Sequence, residues 1–201
     1  MRVVHIIEGF LGGTSTYMCQ VLPQLVRQGC DVTLICSLKR HSPDARLHLS
    51  RLISCGVKVY TIPMCRPIRP LQDLQSLCEL LRLLRRQEFD VIHTHCSKAG
   101  ALGRIAATLT GNRCALHTPH CFAFVRCNSR IKRTVFLNLE KLLGRITKKL
   151  LAVSRSEVEV AVRHRIFPAS RCTHVPNGLR RRERHSASHL CLKRSLGLQD
   201  G

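Results

Sequence analysis

Short β-branched runs alternate with longer helical periods along almost the whole chain, and this alternation limits the possible folds more than any other sequence feature. Val3 to Ile7, Val32 to Cys36, Val57 to Ile62, Val91 to Thr94, Ala115 to Thr118, Leu150 to Val153 and Cys172 to Val175 each read as a strand. Helical spacing fills the intervals. One helix runs from about Ser15 to Gln28 and stops at Gly29. Ser42, Pro43 and Asp44 open a second, which Gly56 closes. Leu71, Leu74, Leu77, Leu81 and Leu84 form the apolar stripe of a third, up to Gln87. Lys98–Thr110, Ile131–Lys148 and Ser156–Arg165 supply the rest. Such a β-α-β-α order predicts an α/β fold: a single Rossmann-like domain, its parallel sheet covered by helices on both faces. Ligands of these sheets sit beyond the carboxyl ends of the strands, so loops 8–14, 93–98 and 117–125 matter most.

A length of 201 residues and an apolar content of 44% suffice for one such core, spanning 1–179, with 180–201 as a basic linker or tail. No run of 18 uncharged apolar residues occurs, so no spanning helix is expected. His5 and Glu8 break the apolar start, and no small-residue cleavage site follows, which argues against a signal peptide and for the cytoplasm. The 12 cysteines contain no CxxC, which removes zinc-ribbon and thioredoxin-like chemistry, and a disulfide framework is not expected. Cys19, Cys30, Cys36, Cys55 and Cys78 lie in apolar contexts and read as small core residues. Residues 125–201 hold 18 of the 33 Lys+Arg but 5 of the 12 Asp+Glu. That basic excess attracts polyanions without choosing among nucleic acid, anionic lipid and phosphorylated small molecules. Specific nucleic-acid binding lacks support: there are 2 Tyr, 6 Phe and no Trp to stack bases, and no binding motif.

Each of the three loops holds candidate residues. In EGFLGGTS (8–15), Gly12 and Gly13 let the backbone approach a ligand, and the helix start behind them, with Thr14, favours a phosphate. The spacing is neither GxGxxG nor GxxxxGK[ST], and the second strand ends without an acid for a ribose, so NAD and P-loop readings fall away. A turn needed only for chain reversal accounts for the same glycines. In HTHCSKAGALGR (93–104), Ser97 is placed to cap a helix, beside His95 and Lys98, while Gly100 and Gly103 let that helix close on the sheet. In HTPHCFAF (117–124), His120 stands beyond the strand, able to donate a hydrogen bond to a sugar or to shuttle a proton near neutral pH. His93, His95, Cys96, His117, His120 and Cys121 raise the question of zinc. Strand alternation splits the set and no ligand spacing supports a tetrahedral site, so no metal is expected.

The helix over 130–149 carries two faces. Ile131, Val135, Leu139, Leu142, Leu143 and Ile146 share one, and Arg130, Arg133, Lys141, Arg145 and Lys148 gather opposite. A sheet-packing helix with a solvated back explains the apolar stripe. A helix lying on anionic lipid explains the single sign of the charge. Both readings stand.

EGFLGGTSTYM (8–18), FDVIHTHCSKAGALGR (89–104), HTPHCFAF (117–124), LLAVSRSE (150–157) and HVPNGL (174–179) together resemble glycosyltransferase family 4, retaining enzymes of GT-B fold. The flavour is that of bacterial enzymes building surface and exopolysaccharides on a lipid carrier. The resemblance implies the N-terminal, acceptor-holding half of a two-domain enzyme, with a nucleotide-diphosphate sugar as donor, a lipid-linked or saccharide acceptor, and no cofactor. It implies that Gly12 and Gly13 line the interdomain cleft beside the donor diphosphate. His120 matches the histidine that contacts the donor sugar near the reacting carbon. Ser97, Lys98 and neighbours fall on the acceptor side, and Asn177 marks the crossing into the second half. Cys121 stands where this group usually has glycine, which predicts a distorted loop. The family's glutamate pair, seven residues apart, has no counterpart after Glu183. The expectation is therefore a partial enzyme, inactive alone, whose donor domain could be a separately encoded partner. The alternative is a non-catalytic module that docks on an anionic membrane, at the inner face of the plasma membrane, or on a partner chain through helix 130–149.

Overall fold

The computed structural model describes residues 1–178; the predicted basic tail 180–201 lies outside the described residues. Seven strands form one parallel sheet: β1 (Arg2–Ile6), β2 (Asp31–Cys36), β3 (Lys58–Thr61), β4 (Val91–His95), β5 (Ala115–Thr118), β6 (Lys149–Ala152) and β7 (Cys172–His174). Their order is β3-β2-β1-β4-β5-β6-β7. The helices are α1 (Gly12–Arg27), α2 (Ala45–Ser54), α3 (Pro70–Arg86), α4 (Ser97–Leu109), α5 (Arg130–Arg145) and α6 (Arg155–Arg163). The expected Rossmann-like alternation is present throughout.

Successive strand residues serve opposite faces. Val32 and Leu34 pack with Met18 and Leu22 of α1 and with Leu49 and Leu52 of α2. Val4, Ile6 and Ile35 pack on the other side with Leu80 and Leu84 of α3 and Leu102 and Ala106 of α4. Phe122, Phe124, Leu150, Ala161 and Phe167 close the β6 end. The glycines of α4 set its depth. A Cβ on Gly103 would meet Cγ2 of Thr94 at 2.6 Å, and one on Gly100 would meet Cε1 of His117 at 2.5 Å. Helix α3 begins with Pro70, whose missing N–H is harmless in a first turn, and Asp73 Oδ2 accepts the backbone N–H of Arg69 at 3.1 Å.

Helix α5 corrects the expected packing. Of the apolar set read along it, Leu143 alone is buried; Ile131, Val135 and Leu142 are 78%, 56% and 57% exposed, and Leu139 and Ile146 also face solvent. The buried face is built from Glu140, Leu143 and Gly144. A Cβ at Gly144 would collide with the carbonyl oxygen of Ile166, so only glycine permits this approach. Glu140 Oε2 accepts a hydrogen bond from Arg104 Nη2 at 2.9 Å, and both side chains are withdrawn from water. A buried charge is tolerable only when paired, so the pair fixes the helix's rotation against the pull of its apolar stripe. At 100° per residue, Arg130, Lys141 and Arg145 occupy the arc between this buried face and the exposed stripe; the helix stops at Arg145, so Lys148, expected on it, lies in the link to β6.

The cysteines also depart from expectation. Cys36 is buried, and burial pushes its thiol up to about 12; Cys19 and Cys30 are half-buried, whereas Cys55 and Cys78 are exposed. All eleven cysteines among the described residues are free thiols.

Candidate active site

From β1 the chain steps outward to β2 and β3, then returns and runs the other way from β4 to β7. The loops leaving β1 and β4 therefore diverge, and the crevice between them is where open α/β sheets take ligands. His5 and His93 are register partners across this junction. With His95, two residues on, they share the α1 face of the sheet, because Val4, Ile6 and Thr94 turn to the other.

Three imidazoles join end to end here. Nδ1 of His5 lies 3.0 Å from Nε2 of His95, and Nδ1 of His95 lies 3.2 Å from Nε2 of His120. His93 instead meets Oγ1 of Thr118 at 2.9 Å through Nε2. Tyr17, from α1, sets its ring against His95 and edge-on to His120, with centroids 5.6 and 5.5 Å away. Burial holds His5 and His120 down to about 4, and it holds His93 and His95 well below the ordinary imidazole range. The row is neutral at pH 7. His120 stands there as an uncharged imidazole, with one nitrogen that can donate a hydrogen bond and one that can accept. His95 is fully buried with both ring nitrogens facing other imidazoles, so it reaches a ligand only through His120.

His120 sits on a strained turn. Its φ is 47° and that of Cys121 is 77°, both in the left-handed region. The loop keeps the conformation that suits glycine although residue 121 is cysteine, so the expected distortion takes the form of strain. Glu157, on α6, anchors the loop: its Oε1 accepts the backbone N–H of Cys121 at 2.6 Å, and its Oε2 accepts that of Val153 at 2.9 Å.

Gly12 and Gly13 open α1, and a Cβ on either would meet nothing within 4 Å; Gly12 requires glycine by its φ of 58°. No side chain caps this helix, and no acid occupies its first turn. Its first N–H groups therefore lack a side-chain partner from the cap, as an anion site needs. Thr14 Oγ1 lies 3.8 Å from Cys96 Sγ, which ties the β1 and β4 loops together. Cys96, with φ 57°, takes the cap position of α4, and Ser97 falls in the first turn instead of capping it. Lys98 is not a free cation: its Nζ donates to Asp73 Oδ2 at 2.5 Å, in a largely buried pair. Asn177 is exposed beyond β7, and Gly178 after it lines a groove of about 610 Å³ along α1 that shares Tyr17 with the site.

His5, His93 and His95 bring ring nitrogens within 4.8 Å of one another. Two ligands of one tetrahedral zinc stand about 3.4 Å apart. Among these three, Nδ1 of His5 and Nε2 of His95 stand closer than that, at 3.0 Å, the separation of a hydrogen bond. His117 lies on the opposite face, 3.0 Å from Thr94 Oγ1, as strand alternation predicts.

Sequence reasoning passed over five residues of this site, among them His5, read only as a break in an apolar run. Ser154 and Glu157 carry the S-x-x-E helix-start signature, which could have exposed Glu157. Glu8 is buried beside Arg40, 3.4 Å away, with Oε1 unpartnered. Its place directly after β1 was the available signal. Nothing local marks Tyr17 or Asp73, which join the site through tertiary packing.

The chain is similar to known proteins in sequence and in fold. A glycosyl transferase 4-like domain matches residues 12–178. The Escherichia coli UDP-Gal:alpha-D-GlcNAc-diphosphoundecaprenol alpha-1,3-galactosyltransferase is 30% identical over 181 residues, covering 89% of this chain and 45% of the relative. Among solved structures, the lipopolysaccharide outer core galactosyltransferase WaaB superposes with a TM-score of 0.65 at 14% identity, covering 91% of this chain and 47% of the other. Acinetobacter baumannii MurG gives 0.60 at 18%, covering 91% and 47%. The chain spans about half the length of the relatives it matches. Sequence match and sheet order agree that this chain belongs to the glycosyl transferase 4-like domain family.

Proposed function

We propose that this domain is the acceptor-side half of a retaining glycosyltransferase. The whole enzyme moves a sugar from a nucleotide diphosphate to a lipid-linked or saccharide acceptor during cell-surface polysaccharide synthesis. One observation carries the reading: α1, whose start is uncapped, meets the loop bearing His120 through Tyr17 at the β1/β4 crevice. The amides of Gly12, Gly13 and Thr14 stabilise the donor diphosphate. His120, neutral, hydrogen-bonds the donor sugar near its reacting carbon. Ser97 and Lys98 bound the acceptor side, and Asn177 begins the crossing toward a donor-binding domain. Positioning and charge stabilisation supply the catalysis, with no cofactor or metal. The galactosyltransferase relative acts on UDP-galactose and a diphosphoundecaprenol-linked sugar, and we assign this chain the same classes of donor and acceptor.

The test is a chimera in which residues 1–178 replace the matching half of that galactosyltransferase. Galactose transfer to the lipid-linked acceptor is expected, falling about 100-fold or more in His120→Ala. A folded but inert chimera would sink the assignment. The 201-residue chain alone should turn over no nucleotide sugar, and activity should appear when a donor domain is supplied as a second chain. Turnover by the lone chain would overthrow the half-enzyme reading.

The exposed stripe of α5 favours a second role. No helix of the described residues is long and apolar enough to cross a membrane. Ile131, Val135, Leu139, Leu142 and Ile146 instead form an outward apolar line with Arg130, Lys141 and Arg145 along one side, Arg133 near its start and Lys148 past the end of the helix. That is the pattern of a helix seated in a lipid interface, and it would hold the domain on the inner face of the plasma membrane, where a carrier-linked acceptor is presented. Sedimentation with anionic vesicles should remove the protein from solution, and reversing Arg133, Lys141 and Arg145 should return it. Equal recovery with neutral and anionic vesicles would dismiss this role.

A further inference from the structure

The row His120–His95–His5 ends in an unsatisfied atom, and that end fixes which nitrogen of His120 carries its proton. Each neutral imidazole has one N–H donor and one bare acceptor nitrogen. Two links of 3.0 and 3.2 Å join the three rings, so their protons must follow one direction. Either all three carry the proton on Nδ1, or all three carry it on Nε2. Any mixture sets two N–H groups, or two lone pairs, against each other across a hydrogen-bond distance.

The two arrangements differ at the ends. With every proton on Nε2, the terminal N–H of His5 points into the core, where Nε2 is buried and has no partner. Orphaned N–H groups are rare in protein interiors because the desolvated donor costs about 1–3 kcal/mol. With every proton on Nδ1, His5 donates to His95 and His95 donates to His120. The core then keeps a bare lone pair on His5, and His120 turns an Nδ1–H outward. His93 does not compete, since Thr118 engages its Nε2.

We propose that His5 and His95 are positioning residues that lock His120 in the Nδ1–H tautomer, so that it presents a donor to an acceptor oxygen in the crevice. This is the opposite of the tautomer that a free histidine side chain favours. The oxygen belongs to the hydroxyl or phosphate class, and its identification with a donor sugar rests on the reading above. The tautomer itself does not rest on it.

Nitrogen NMR of the uniformly labelled 201-residue chain at pH 7.5 tests the assignment without any substrate. His120 should show a protonated Nδ1 and a bare Nε2, with scalar coupling across both N···N links. In His5→Asp, which His120 does not touch, a carboxylate faces Nε2 of His95 and accepts its proton, so the row should reverse and the proton of His120 should move to Nε2. A role in folding alone would change stability and leave the tautomer in place. An Nε2–H signature for His120 in the unaltered chain overturns the proposal, as does an Nδ1–H signature that persists in folded His5→Asp. If the variant does not fold, the unaltered chain decides, and a missing coupling at either link refutes the relay. Failure of the galactosyltransferase chimera with these signatures intact would count against the enzyme assignment alone.

Discussion

Glu157 accepts the backbone N–H of Cys121 at 2.6 Å, so a side chain near the start of α6 holds the loop that presents His120. The same carboxylate accepts the N–H of Val153, and it bridges the end of β6 to the turn after β5. Glu157→Ala strips two backbone amides of a charged partner. It should lower stability by about 2–4 kcal/mol, read from denaturant midpoints, and broaden the His120 resonances. Glu157→Gln should keep part of both effects. Sharp, unshifted His120 signals in folded Glu157→Ala would show that the loop is held by other means.

Cys121 should be better as glycine. Its side chain is exposed, and its φ of 77° strains any residue with a Cβ. Cys121→Gly should raise stability by about 1 kcal/mol, a few degrees in Tm. A loss of stability would mean that the thiol makes a compensating contact.

Acid should unfold the protein early. Burial depresses His5 and His120 to about 4 and holds His93, His95 and His117 well below their ordinary range, while the unfolded chain titrates near 6.5. Folded pKa values below unfolded ones mean that the unfolded state binds more protons as pH falls through 6.5. Stability is therefore full above about 6.5 and is lost toward 4, by about 1.4 kcal/mol per pH unit for each imidazole that stays neutral. Urea midpoints at pH 7.5, 6.5 and 5.5 should fall steeply over the last interval. A flat profile would contradict the neutral row.

The Arg104–Glu140 pair should be intolerant of half-removal. Glu140→Ala leaves a buried guanidinium with Nη1 already unpartnered, and it should cost about 3–5 kcal/mol. Replacing both, Arg104→Met with Glu140→Leu, should recover most of that. A double variant as unstable as the single one would show that the pair does more than cancel its own charge.

The sheet was legible because strand composition and helical period are local properties, and all seven strands fall within a residue or two of where β-branched runs place them. The crevice followed from topology, since carboxyl-end loops are known once the order is. Side-chain partnership was not legible. Nothing near Lys98 announces Asp73, which lies 25 residues away on another helix, and nothing in α5 announces that Glu140 outweighs five apolar neighbours. Helical periodicity ranks faces by hydropathy, whereas the actual rotation was set by one buried charge and one glycine.

The pairing of β1 with β4 has a consequence for the order of folding. His5 and His95 meet across 90 residues of chain, and α1, β2, α2, β3 and α3 all lie between them. Closing so long a loop is slow, and it brings no reward until both strands dock. The imidazole row should therefore assemble among the last native contacts, and its spectroscopic signature would date the moment at which the molecule becomes competent.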